Sequence, residues 1–109
     1  ELCAGVCEEE DASPLISAQR ELLEETGYGN GTWQEYMQIS PNPSTHTNIT
    51  YCFLATDVEK ISEQHLEDTE SLSVHLLTLA EVKELLQKGE IKQALMAAPL
   101  WKYIAEKGL

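Results

Sequence analysis

Residues 20–28 of the chain read Arg20-Glu21-Leu22-Leu23-Glu24-Glu25-Thr26-Gly27-Tyr28. Glu21 and Glu25 are four residues apart and Glu24 is three residues from Glu21, so on a helix all three side chains project from one face. Three negative charges so close together repel one another unless a cation lies between them. Hard oxygen ligands suit Mg2+ or Mn2+, which also bind phosphate oxygens. The stretch therefore predicts a divalent-metal site.

The residues on either side predict that this helix runs from about Pro14 to Thr26. Apolar residues recur along it at helical spacing. Ser13 is a favoured N-cap, and proline is well tolerated at the first helical position. Gly27 can adopt the left-handed conformation that ends many helices. The helix should thus have one apolar face and one acidic face.

Residues 20–28 also fit nine consecutive positions in the second half of a known motif, G-x5-E-x7-R-E-U-x-E-E-x-G-U, where U is aliphatic or aromatic. The first half departs from the motif. Five residues separate Gly5 from Asp11, where the motif has glutamate, and eight residues rather than seven precede Arg20. This motif is the Nudix box, and the chain resembles the Nudix hydrolase family. Either Glu10 or Asp11 is the counterpart of the motif's first acid.

The resemblance implies an α/β fold in which a mixed sheet is sandwiched between helices. Residues 33–40 and 48–55 read as strands that pair as a hairpin, and a third strand is predicted at residues 72–77. Family members place several strands ahead of the box. We therefore expect residues 1–109 to form a single Nudix domain that is incomplete at its N-terminus.

Two further helices are predicted in the C-terminal part of the chain. Thr78-Leu79-Ala80-Glu81 has the S/T-x-x-E form of a capping box and should open a helix that closes at Gly89. Residues 91–107 have a helical pattern, which Pro99 should break or kink. The chain is also similar to the ADP-ribose pyrophosphatase branch of the family. In that branch an acidic loop precedes a strand, as at residues 67–77 here, and a segment like Gly89-Glu90-Ile91-Lys92 opens the last helix.

Composition narrows the range of partners. The formal net charge is −12 and the chain has only seven Lys and Arg residues, so binding to nucleic acid or to an anionic membrane surface is not expected. No apolar run approaches the roughly 20 residues needed to cross a bilayer. The odd number of cysteines, with no CxxC pair, argues against disulfides or a zinc site and favours a reducing cytoplasmic location.

The resemblance assigns roles to residues of the box. Glu21, Glu24 and Glu25 match its metal-binding glutamates. Glu25 is also expected to be a catalytic residue. In the ADP-ribose branch a backbone carbonyl just before the loop glycine meets a metal, and here that carbonyl belongs to Ala4. Arg20 matches the box arginine, which should hold a neighbouring glutamate. Glu24 is in reach for this because it lies four residues further along the helix.

Other candidates lie outside the box. In the ADP-ribose branch a glutamate of the later acidic loop approaches the metals, and Glu70 and Asp68 occupy the acidic positions of that loop. Either could orient or deprotonate the attacking water, and we favour Glu70. His46, in a proline-bordered loop, and Asn48 are candidates for contacting the substrate.

These assignments lead to a functional hypothesis. The chain is expected to belong to a Mg2+- or Mn2+-dependent hydrolase of a nucleoside diphosphate linked to another group, with ADP-ribose or another nucleotide sugar as substrate. Two alternatives stay open: a nucleoside-triphosphate pyrophosphohydrolase, and a Nudix module that binds a nucleotide without cleaving it. A small-molecule nucleotide is the expected partner, and a homodimer is an open expectation because many relatives dimerise.

Overall fold

The computed structural model describes residues 2, 12–41, 44, 49–66 and 72–109. Its elements, in chain order, are α1 (Pro14–Thr26), β1 (Tyr28–Gly29), β2 (Thr32–Ile39), β3 (Thr50–Thr56), β4 (Glu59–Lys60), α2 (Leu79–Gln87) and α3 (Ala94–Glu106). The strands form two two-stranded sheets, β1 with β4 and β2 with β3. The chain is therefore of the predicted α/β class, in agreement with the fold that the resemblance implies.

Helix α1 has the bounds that the sequence predicts. Ser13 is its N-cap, with an extended backbone (φ −165°, ψ 165°), and the Ser13 hydroxyl accepts a hydrogen bond from the N–H of Ile16 at 3.2 Å. This bond satisfies one of the N–H groups that a helix leaves unpaired at its start. Pro14 occupies the first turn, where its missing N–H costs nothing.

The chain turns sharply where α1 ends. Gly27 has φ +80° and donates its N–H to the carbonyl of Leu23 at 2.8 Å. The carbonyl of Gly27 then accepts from the N–H groups of Ile61 and Ser62, at 2.9 and 3.1 Å. β1 follows at once and pairs with β4 in antiparallel register, with Tyr28 opposite Lys60. The sequence did not predict this short pairing, because two-residue strands leave no periodic pattern.

Strands β2 and β3 confirm the predicted hairpin, with bounds that differ by one or two residues from those expected. The hydroxyl of Thr56, the last residue of β3, donates to the carbonyl of Thr32, the first residue of β2, at 3.5 Å. The two strands therefore run in opposite directions.

The prediction of a third strand at residues 72–77 is wrong. Residues 72–78 have no regular secondary structure, and their side chains are exposed, Leu76 to 77%. An alternating apolar pattern indicates a preference for extended backbone, but a strand also needs a partner for its ladder hydrogen bonds. No strand in the described part of the chain pairs with this segment. The carbonyl of Leu72 instead accepts a hydrogen bond from the side-chain amide of Gln64 at 3.3 Å.

The chain divides into two compact units, one of residues 37–52 and 75–109 and the other of residues 2–36 and 53–74. In the first, α2 packs against α3, and Leu86 and Ile104 are buried. In the second, α1 packs beside β1. That residues 1–109 form a single domain stays a prediction.

Helix α3 differs from its predicted form. It begins at Ala94 rather than at residue 91, and Pro99 lies inside it, so the helix does not break there, and the alternative expectation of a kink stays a prediction. Proline lacks the N–H that would bond the carbonyl of Leu95, and Pro99 and Ile104 are both buried. Among the residues described, no helix combines the length and the apolar character needed to span a membrane.

The capping box of α2 is confirmed and gives a pH-dependent prediction. The N–H of Thr78 donates to the Glu81 carboxylate at 2.9 Å, and the N–H of Glu81 donates to the Thr78 hydroxyl at 3.2 Å. Hydrogen bonds from the backbone and the side chain of Thr78 lower the pKa of Glu81 from its ordinary 4.5. The ionised carboxylate therefore stabilises the fold above pH 4.5, and this contribution is lost as the pH falls through the lowered pKa.

We expect Glu81→Gln to have a lower free energy of unfolding than the parent at pH 7, with the difference shrinking below pH 4.5, as measured by urea unfolding across this range. The control is Glu84→Gln, which removes an exposed carboxylate that pairs with Lys88 at 2.7 Å on the same helix. A loss in Glu81→Gln that is the same at pH 7 and pH 3 would contradict the role of its ionised carboxylate.

Replacing Gly27 by alanine should destabilise the fold for two separate reasons. The left-handed backbone costs a side-chain-bearing residue about 1–2 kcal/mol, and a β-carbon at Gly27 would overlap the carbonyl oxygen of Ser62. Gly89 has φ +73° but no atom within 4 Å of such a β-carbon. Gly89→Ala is therefore a control that carries the backbone cost alone. We expect thermal and urea unfolding to show a clearly larger loss for Gly27→Ala, and equal losses would rule out the steric contact.

Candidate metal centre

Arg20 holds two of the three motif glutamates. Its Nη1 donates to Oε1 of Glu21 at 3.0 Å and to Oε2 of Glu24 at 3.3 Å. The i,i+4 pairing with Glu24 is the one predicted, and the contact with Glu21 is additional. The side chains of Arg20 and Glu21 are 24% and 17% exposed, against 43% for Glu24. The arginine therefore neutralises charge at the less exposed side of the acidic face.

Glu21 and Glu25 lie side by side one helical turn apart. Burial raises the pKa of Glu21, the positive charge of Arg20 opposes this rise, and a hydrogen bond to Glu25 together with its charge adds to it. A second carboxyl group one turn away opposes ionisation of Glu21, and a bound cation would remove that opposition. Glu24 is turned toward Arg20. The structure thus places Glu21 and Glu25 one turn apart and pairs Glu24 with Arg20, and the metal-binding role of all three stays a prediction.

This pair of carboxyl groups fits a hard divalent cation. Mg2+ is commonly bound through one or two carboxylates together with substrate phosphates and water, rather than by a cage made only of protein ligands. Within the described ranges, no set of three or more His, Cys, Asp and Glu side chains is arranged to hold a metal ion. Glu21 and Glu25 fit such an ion, and the roles of Glu21, Glu24 and Glu25 as ligands stay predictions.

A segment that the sequence did not single out, residues 61–65, fixes the backbone at the end of the motif. The last turn of a helix leaves carbonyl groups without intrahelical partners. The N–H of His65 donates to the carbonyl of Glu24 at 2.7 Å. The side-chain amide of Gln64 donates to the carbonyl of Glu25, also at 2.7 Å. The end of α1 that carries Glu24 and Glu25 is therefore tied to a part of the chain about 40 residues away.

No sequence signal could have identified this segment. Gln64 is one polar residue in a polar, acidic stretch, and its contact with Glu25 spans 39 residues of sequence. The partners at 61, 62 and 65 act through backbone N–H groups, which every residue except proline carries.

The other predicted site residues lie outside the residues that the structure describes. They are the metal-binding carbonyl of Ala4, the acids Asp68 and Glu70, the substrate candidates His46 and Asn48, and the loop acids Glu10 and Asp11. Their assignments stay predictions.

Comparison with known proteins supports the family assignment. A GDP-mannose pyrophosphatase of Enterobacter sp. (strain 638) is 26% identical over 111 residues, covering 100% of this chain and 56% of that protein. The GDP-mannose pyrophosphatase of Klebsiella pneumoniae is 26% identical over 100% of the chain and 54% of its own length. That of Salmonella typhimurium is 28% identical over 84% of the chain and 48% of its own length.

The chain spans about half the length of these curated relatives. The family itself is shown by a separate match, in which residues 1–98 fit the NUDIX domain. This region includes α1 and its Arg-Glu-x-x-Glu-Glu motif, both sheets and α2. The chain therefore belongs to the NUDIX domain family.

Proposed function

We propose that this chain is part of a divalent-metal-dependent hydrolase that cleaves the pyrophosphate bond of a nucleotide sugar. The products are a nucleoside monophosphate and a sugar phosphate. The observation that carries the proposal is the placement of Glu21 and Glu25 one turn apart on a helix of a NUDIX domain, with Arg20 paired to Glu21. The names of the relatives, GDP-mannose pyrophosphatases, support a nucleotide sugar as the substrate class. ADP-ribose is the other candidate of this class.

The ion we propose is Mg2+ or Mn2+. When bound, such an ion neutralises phosphate charge and lowers the pKa of a water molecule. A protein kept by selection only to bind nucleotides has no need of two carboxyl groups in contact, because their repulsion is costly when neither a proton nor a cation is bound. The contact therefore favours catalysis over simple binding.

The residues of the chain would divide the work as follows. Glu21 and Glu25 hold the ion near the diphosphate, and Arg20 fixes the orientation of Glu21 while neutralising part of the charge. A loop acid, Glu70 or Asp68, takes a proton from the attacking water. The oxygen of this water forms a new bond to one phosphorus atom, and the bond from that phosphorus to the bridging oxygen breaks, so that the second phosphate leaves with the sugar or the nucleoside.

The environment of the protein is part of the same proposal. The acidic composition, with a net charge of −12, disfavours polyanionic partners such as nucleic acid unless a cation bridges them. A small nucleotide with its metal ion meets this condition. We place the protein in the cytoplasm on the basis of its cysteine content, and size-exclusion chromatography with light scattering would decide whether it forms a homodimer.

The test is mass-resolved product analysis of the full-length protein with GDP-mannose, ADP-ribose and nucleoside triphosphates, with Mg2+ and with EDTA. Metal-dependent release of a nucleoside monophosphate and a sugar phosphate supports the proposal. Release of pyrophosphate from a triphosphate would favour the pyrophosphohydrolase alternative. Nucleotide binding that persists in EDTA, without turnover of any substrate, would favour the non-catalytic module.

Glu25→Gln should lower turnover by at least about a hundredfold, because it removes an acidic ligand from the proposed metal site. The amide is similar in size to the carboxyl group and relieves its contact with Glu21, so the unfolding midpoint should stay close to that of the parent. The measurement is kcat at saturating Mg2+ beside thermal unfolding. Glu84→Gln, which makes the same change at an exposed position of α2, is the matched control. Turnover of Glu25→Gln within a fewfold of the parent would exclude Glu25 from the metal site.

A further inference from the structure

Among the groups that pair with the end of α1, Gln64 is distinctive because it acts through its side chain. Ile61, Ser62 and His65 donate through their backbone N–H groups, so most substitutions at these positions would leave the bonds intact. The bond from Gln64 to the carbonyl of Glu25 at 2.7 Å requires a side-chain donor of the right length. The bond to Glu25 therefore depends on which residue stands at position 64, whereas the bonds made by residues 61, 62 and 65 do not depend on their side chains.

The amide of Gln64 has a second bond, to the carbonyl of Leu72 at 3.3 Å. A primary amide carries two N–H donors, and here both are directed at backbone carbonyl groups. Leu72 lies eight residues beyond Gln64 and is the first residue of the described range 72–109. One side chain thus joins three points of the backbone: the end of the metal-binding helix at Glu25, position 64 itself, and position 72.

The bond is well placed to affect the acidic pair. Gln64 donates to the backbone carbonyl of Glu25, whose side chain lies one helical turn from that of Glu21. A carbonyl at the end of a helix that loses its partner exposes the last turn to fraying, and fraying at Glu25 moves one of the two carboxyl groups that would hold the ion. Groups that orient metal ligands typically change affinity or activity by 10–100-fold when removed.

We propose that Gln64 is a positioning residue for the metal-binding end of α1, and that it acts through the backbone of Glu25 rather than by contact with substrate. The inference rests on the proposed function, because it assigns Gln64 to the same metal site. It predicts that loss of the amide weakens metal binding and lowers kcat about tenfold or more, with KM for the nucleotide changed less than twofold.

The test compares Gln64→Met in the full-length protein with the parent and with Gln87→Met. Methionine keeps the length of the side chain but has no N–H to donate, and Gln87 is an exposed glutamine at the end of α2. Three quantities are measured: the Kd for Mn2+ alone by titration calorimetry, kcat and KM at saturating Mg2+, and the hydrogen exchange rate of the His65 amide. This amide reports local opening, because it bonds to the carbonyl of Glu24.

Support requires that Gln64→Met weaken Mn2+ binding about tenfold and speed exchange at His65, while Gln87→Met does neither. A double-variant cycle identifies the route: if Gln64 acts through Glu25, then Gln64→Met with Glu25→Gln is no slower than Glu25→Gln alone. Additive losses would overturn the proposal, as would unchanged Mn2+ affinity in Gln64→Met.

Two outcomes keep the inference distinct from the proposed function. If the parent hydrolyses no nucleotide sugar, the proposed function fails, and the Mn2+ affinity and the His65 exchange still decide the role of Gln64. If Gln64→Met does not fold, Gln64→Asn replaces it, since asparagine keeps both donors but is one methylene too short to reach both carbonyls. Parent-like Mn2+ affinity in Gln64→Asn would then overturn the proposal.

Discussion

Repulsion between the carboxyl groups of Glu21 and Glu25 is the constraint on which the site depends. Burial of Glu21 and the charge of Glu25, one helical turn away, both oppose ionisation of Glu21 and raise its pKa. Arg20 relieves this repulsion only in part, because its Nη1 also serves Glu24. The remaining cost is what a divalent cation would remove, so the same contact that strains the free protein favours metal binding.

Because the carboxyl groups on its acidic face repel one another, α1 is stabilised by hydrogen bonds at its two ends. At its start, the Ser13 hydroxyl caps the first turn. At its end, Gly27 turns left-handed, and segment 61–65 donates to the carbonyls of Glu24, Glu25 and Gly27. These bonds use backbone groups that solvent would otherwise satisfy, and they lie away from the carboxylates. These backbone bonds thus hold the helix without using the carboxylate oxygens of Glu21, Glu24 and Glu25.

How far the sequence could go is clear from particular elements. The bounds of α1 and the capping box at Thr78 were predictable because their signals are local: a cap, a proline and a glycine at fixed offsets. The segment at 72–77 was wrongly predicted as a strand, because strand formation depends on a partner that the local pattern does not reveal. The expectation that Pro99 could break α3 was wrong for a related reason. Whether a helix tolerates proline depends on packing such as the burial of Pro99, which the local pattern does not reveal.

The same distinction applies within the site. Spacing along one helix placed Glu21 beside Glu25 and Arg20 beside Glu24, because i,i+4 neighbours meet on any helix. Spacing could not show that Arg20 also contacts Glu21, which depends on the rotamer that the arginine adopts. Spacing also could not show that Gln64 bonds to the carbonyl of Glu25, because the two residues lie 39 positions apart in the sequence. A motif thus specifies the groups that would bind the ion, whereas the groups that hold them in place come from parts of the chain that only the folded structure brings near.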